Sequence, residues 1–171
     1  VAASRRAAAG SSKPERAMAI SFELKAHSDV TVDHVFSTIA DLRSWDAFVG
    51  VVLVGPQRII AAGDRLEVSM RVMGREIRSG CVVHLVEEPT RTQAGRVDIK
   101  SVDGPIQSRM IGMAIPNGAG CDLSVEVHGI GRGAARMLER PVELIMERWA
   151  AHQMRHLLAV AAAPQRASVI S

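Results

Sequence analysis

"ELIMERWAAHQMRHLL", residues 143–158, decides how the chain is read: it is a long amphipathic helix near the end of the sequence, with two histidines set among its apolar residues. At 100° per residue, Leu138, Val142, Ile145, Trp149, His152 and His156 fall within about 40° of one line, while Arg140, Glu143, Glu147 and Arg155 fall on the far side. Such a stripe must be laid on another element, and Leu138, Val142, Ile145 and Trp149 are expected to face it. The histidines then have two readings. Either they are core residues with a hydrogen-bond partner, or the face lines a cavity that needs polar groups. Two histidines four apart could share a metal, but no third ligand stands at a matching spacing, so no metal or cofactor is expected.

Upstream of this helix the pattern is that of strands. In "GDRLEVSMRVMGREI", residues 63–77, Leu66, Val68, Met70 and Val72 alternate with Arg65, Glu67, Ser69 and Arg71, and Gly74 marks a tight hairpin. The following run predicts Ile77, Cys81, Val83 and Leu85 on one face, with Pro89 closing it. Further strands are expected at 51–56, about 91–99, about 105–115 and 120–129, and a first strand at 19–27 carries Ile20, Phe22 and Leu24. Behind Thr31, a workable N-cap, Val32, Val35, Phe36 and Ile39 recur at helical spacing. Trp45 and Phe48 predict a second short helix ending at Gly50. The long helix should run from about Arg132 to Ala162, with Pro141 a kink or a break. Strand, two short helices, about six strands and a long helix describe an α+β domain, an antiparallel sheet packed on one face by the helix. If the sheet curls, a hollow opens between its concave side and the helix.

Composition bounds the function classes. A chain of 171 residues that is 47% hydrophobic makes one domain with a real core. The net charge of +3 is carried by Arg5, Arg6, Lys13 and Arg16 against Glu15, and the remainder is formally neutral. With no Tyr, two Trp and three Phe there are few platforms for bases, so a nucleic-acid partner is not expected. Residues 1–17 lack an apolar period and are expected to be a disordered tail; residues 18–162 form the domain and 163–171 a flexible C-terminus. Translation could begin at Val1 or at Met18. "SRR" near the start lacks the apolar run of an export signal, and no stretch is apolar enough to span a membrane. Cys81 and Cys121 sit in apolar-alternating strands as small hydrophobes, which fits a reduced, cytoplasmic protein.

The element order, "VFSTIADLRSWDAFV" at 35–49, the 63–77 hairpin and "RPVELIMERWAAHQMRHLLA" at 140–159 together resemble the START-like (SRPBCC) superfamily, in its polyketide cyclase/dehydrase and lipid-transport branch. The resemblance implies a helix-grip fold: a curved antiparallel sheet of about six to seven strands wrapped around the C-terminal helix. Members of the family bind hydrophobic ligands under that helix, some catalyse aromatic cyclisation, some move lipids, and some short ones act as toxins of toxin–antitoxin pairs. Fold alone does not choose among these. The expected function is binding or carriage of a hydrophobic small molecule or lipid. A cyclase/dehydratase-like enzyme and a toxin-like interaction protein are the alternatives.

No nucleophile elbow or paired-carboxylate spacing marks a catalytic residue. The candidate cavity lining is Val68, Met70, Met110, Ile145, Trp149, His152 and His156. Met70, Met73, Met110, Met113, Met137 and Met146 either line an adaptable cavity or fill core gaps. Arg71 and Arg109 would be cationic handles if turned inward, but strand alternation puts them, with His84 and His128, on the solvent side. A carrier or an enzyme needs a continuous volume of roughly a few hundred Å³ beneath the last helix; a protein acting through its surface does not.

Overall fold

The computed structural model describes residues 20–167, with side chains to residue 163; the expected tail over 1–17 and residues 168–171 lie outside the described residues. The elements are β1 (Ile20–Ser28), α1 (Val32–Ala40), a 3-10 turn at Leu42–Ser44, β2 (Val51–Val54), β3 (Arg65–Val72), β4 (Arg75–Glu87), β5 (Gly95–Ser101), β6 (Ile106–Asn117), β7 (Gly120–Gly131), a 3-10 segment at Gly133–Leu138 and α2 (Glu139–Ala167). The strands form one curled antiparallel sheet in the order β1-β7-β6-β5-β4-β3-β2. β2 to β7 thus pair as a meander, and β1 closes on the outside of β7 through the register Phe22–Val127 and Leu24–Val125. The architecture is the expected one: α+β, a half-barrel gripping a long C-terminal helix, with two short helical segments after the first strand.

Local sequence explains most boundaries. Val72 and Arg75 pair across a two-residue turn, with Met73 at φ 49 and Gly74 at φ 78. Both central residues of such a turn need positive φ, which Gly gives without strain and Met does not. Thr31 stands at the N-cap of α1 but its hydroxyl makes no capping bond; Ser28 Oγ accepts the Val30 N–H instead. The second short helix is tighter and earlier than expected, a turn over Leu42–Ser44 that leaves Trp45 at its end and Phe48 beyond it. Pro141 marks a break rather than a kink: it lies in the first turn of α2, where an absent N–H forfeits no helical bond. The helix then continues to Ala167, past the expected end at Ala162.

Two face assignments are corrected. The β4–β5 register shifts between Val83 and Leu85, so the exposed His84 takes up an extra residue and parity reverses. Val86, opposite Val97, therefore packs against the core, and Leu85 pairs with Asp98 on the outer face. On α2 the buried residues are Val142, Trp149, Ala150, Gln153, Met154, Leu157 and Ala161. Their centre lies roughly a quarter-turn from the stripe drawn through the large residues and histidines. The stripe omits Gln153, Met154 and Leu157 as well as Ala150 and Ala161, and these five carry the buried centre round the helix. Leu138 and Ile145 are left half-buried at the edge of the packed face.

Candidate functional site

Between α2 and the concave sheet the interior is incompletely filled. A hollow of about 60 Å³ lies beneath Val142, Met146 and Trp149, floored by Val68, Met70, Ile77 and Met110. A second, of about 50 Å³, lies beneath Ala150, Gln153, Met154 and Leu157, against Val97, Leu123 and Val125. Trp45, Ile99, Met110 and Trp149 line both, so the two hollows adjoin and these side chains form a waist between them. The two indoles forming that waist have centroids 5.6 Å apart and planes 38° apart. Trp45 Nε1 donates to the Ile39 carbonyl at 2.9 Å, which satisfies its one polar atom and leaves the ring as an apolar wall.

The polar groups on these walls are few. Ser79, Ser101 and Ser108, on the adjacent strands β4, β5 and β6, lie in the floor of the first hollow. Among the described residues the lining holds one ionisable side chain, Cys81. Burial pushes its thiol up to about 11, so it remains protonated and a poor nucleophile near neutral pH.

Outside the waist a groove of about 340 Å³ runs between the loop after α1, β2 and α2. It shares Leu42, Trp45, Leu53 and Trp149 with the first hollow, and these four side chains are the partition between groove and interior. The loop is held against α2 by a polar clasp. Gln153, 3% exposed, donates from Nε2 to the Asp46 carbonyl at 2.7 Å and accepts the Asp46 N–H at 3.1 Å. His152 Nε2 lies 3.0 Å from Asp46 Oδ2, and His156 Nδ1 lies 4.0 Å from the same oxygen. The His152 bond, then the Ala47 N–H, hold the Asp46 carboxyl below its ordinary value. His152 also lies 5.3 Å from Phe48 and stacks on His156 at 6.4 Å with ring planes 7° apart.

The expected lining residues therefore separate. Val68, Met70, Met110 and Trp149 come together around the interior space. Ile145, His152 and His156 are not part of its lining: the quarter-turn of α2 carries them to the rim. The histidines have a partner, as the first of their two readings requires, but the partner is Asp46 on an exposed loop rather than a core group. Asp46 would also be the third ligand of a metal site, yet it bonds His152 directly, and among the described residues no group of three His, Cys, Asp or Glu is arranged to hold a metal ion. Of the methionines, Met70, Met110 and Met146 line the first hollow, whereas Met73 and Met137 are 78% and 85% exposed. Arg109 points outward, as strand alternation predicts, and is bidentate on Asp98, which is 1% exposed.

Three serines and the clasp lie outside the expected set. Ser79, Ser101 and Ser108 were legible, each a polar residue at the inward phase of its strand, after Ile77, Ile99 and Ile106 respectively. The Asp46–Gln153 clasp joins residues far apart in sequence and carries no local signal.

No protein-family model matches the sequence, and no curated protein does. Solved structures do match in shape. The Zhui aromatase/cyclase from Streptomyces sp. R1128 superposes with a TM-score of 0.66 at 16% identity, covering 86% of this chain and 96% of that one. TTHA0849 from Thermus thermophilus gives 0.63 at 14% identity, over 84% of this chain and 98% of that one. The chain has the START-like helix-grip fold. A third START-like structure, Ara h 8.0201, superposes with a TM-score of 0.57 at 12% identity, over 84% of this chain and 97% of that one. At these identities the likeness is one of START-like backbone, and the site has to be argued from its own side chains. Among the described residues no helix is long and apolar enough to cross a membrane.

Proposed function

We propose that this protein binds a hydrophobic small molecule or lipid in the space between the curled sheet and α2, as a carrier or binding protein. The observation that carries the reading is the unfilled apolar interior on both sides of the Trp45–Trp149 waist. Protein interiors are normally packed to crystal density, and a void forfeits the dispersion contacts of its lining. A fold that keeps two such spaces beneath one helix gains from a guest that fills them. Together they fall short of the continuous volume of roughly a few hundred Å³ that a carrier or an enzyme is expected to need, so the space has to open to take a guest. Three flexible methionines and the Trp45 ring fold into the space, and a guest would displace them toward the groove.

Binding is favoured over catalysis by the chemistry of the lining. A cyclase/dehydratase-like mechanism needs a proton carrier with access to the guest. The histidines stand at the rim, engaged with Asp46, and Cys81 is held as a thiol. A toxin-like protein acting through its surface would have no use for the hollow. The test is mass spectrometry of lipophilic material released from natively purified protein, with titration of the neutral fluorophore N-phenyl-1-naphthylamine. Saturable fluorescence enhancement that is lost when Met110→Trp fills the waist supports the reading. Absence of saturable binding in the parent protein removes it.

A further inference from the structure

The interior space has two chemically different ends, and the difference bears on what it takes. Around the waist and under the second hollow every wall is apolar apart from Gln153, whose amide is consumed by Asp46. The floor of the first hollow carries three hydroxyls close together. Ser101 Oγ accepts the Ser108 N–H at 2.7 Å across the β5–β6 ladder, and Ser79 lies one inward position from Cys81, which pairs with Ser101.

Their hydrogen-bonding capacity is not used up. Ser79 is 8% exposed and neither donates nor accepts a side-chain hydrogen bond among the described residues. Gly104, at φ 95, passes behind it so closely that a Cβ there would come within 2.6 Å of Ser79 Oγ. Ser108 Oγ likewise has no partner among the described residues, and Ser101 Oγ accepts one bond but donates none. A serine hydroxyl offers one donor and two acceptor sites, so all three keep capacity for a partner; Ser101 and Ser108 are half-buried, and the unpartnered Ser79 and Ser108 hydroxyls are not fully enclosed. Three under-used hydroxyls at one end of an apolar space are a polar anchor waiting for its complement.

The same lining excludes charge. Among the described residues no Lys, Arg, His, Asp or Glu side chain lines either hollow. A carboxylate or ammonium carried inside would lose its hydration with no counter-charge to replace it.

We infer that the ligand is an uncharged apolar molecule bearing a hydroxyl or carbonyl at one end, bound with that group on Ser79, Ser101 and Ser108 and its apolar body through the Trp45–Trp149 waist. This rests on the proposed binding function and narrows it: phenols, sterol-like alcohols and ketones fit, whereas an ionised fatty acid does not.

Three probes of one shape separate the possibilities: naphthalene, 2-naphthol and 2-naphthoate, titrated at neutral pH by quenching of the tryptophan fluorescence and by calorimetry. With one to two added hydrogen bonds, 2-naphthol should bind about five- to tenfold more tightly than naphthalene, and 2-naphthoate at least about tenfold more weakly than 2-naphthol. Ser79→Ala and, separately, Ser108→Ala should bring the naphthol-to-naphthalene affinity ratio toward one. A ratio near one in the parent, a ratio unchanged in both variants, or naphthoate as the tightest of the three overturns the inference while leaving hydrophobic binding intact. If none of the three binds saturably, the proposed function fails and the inference goes with it.

Discussion

Asp98 shows how strand phase gives the direction of a side chain and leaves its environment open. In "RVDIK" it holds an outward phase, the side a strand usually shows to water, yet Arg109 lies across it and Arg96 approaches to 3.6 Å. The Arg109 guanidinium holds its carboxyl below the ordinary range. Asp98→Ala should lower stability by about 2 kcal/mol in urea unfolding, toward the low end for a buried ion pair because Arg109 is 41% exposed and can rehydrate. A loss under about 0.5 kcal/mol would show that the pair contributes no more than a surface salt bridge. Gly104 is the second residue-scale case: positive φ and close contact with Ser79 coincide there, so Gly104→Ala should destabilise by more than about 1 kcal/mol, measured the same way. Neither effect is visible in the sequence, since each depends on which strand or loop lies alongside.

At the scale of elements, alternation made β1, β3, β4 and β7 legible, and helical spacing with small flanking turns did the same for α1 and α2. What stayed hidden was phase: one extra residue at His84 reversed the end of β4, and the buried face of α2, which takes in Ala150, Gln153, Met154, Leu157 and Ala161, lies roughly a quarter-turn from the expected stripe. Val68, Met70 and Met110 line the interior because their strands keep the expected phase, Trp149 stays because it lies where the expected stripe and the buried face of α2 overlap, and His152 and His156 fall outside that face. The closing strand supplies a test of element pairing. His27 and Asp122 face each other across β1–β7 with Nδ1 and Oδ1 2.7 Å apart, and this bond raises the His27 pKa above its ordinary value. A raised folded-state pKa stabilises below the unfolded value and the contribution fades as pH rises through the folded one. The melting temperature of His27→Gln should therefore fall short of the parent's at about pH 5 and approach it at about pH 9. A gap of constant size across that range would mean that the protonated imidazole contributes nothing.

For the molecule as a whole, Trp149 is where fold and site meet: it is 4% exposed, lies near the middle of α2 and touches both hollows and the groove. Trp149→Ala should cost about 3 kcal/mol, less than for a tryptophan packed on every side, and should enlarge the interior enough to admit bulkier probes. A variant that melts as the parent does would place the indole outside the cooperative core. The clasp on Asp46 has a different kind of consequence, one of time. With Leu42, Trp45 and Leu53 partitioning the groove from the interior, and Gln153 and His152 holding the adjoining loop, a guest entering by way of the groove would wait for the loop to lift. Association observed by stopped flow should then stop accelerating as probe concentration rises, levelling at the opening rate. Gln153→Ala should raise that plateau. Below the ordinary carboxylate range Asp46 takes up a proton and the His152 contact weakens, so the plateau should climb there too. A protein built this way would hold its guest by the slowness of its own door as much as by the fit of its walls.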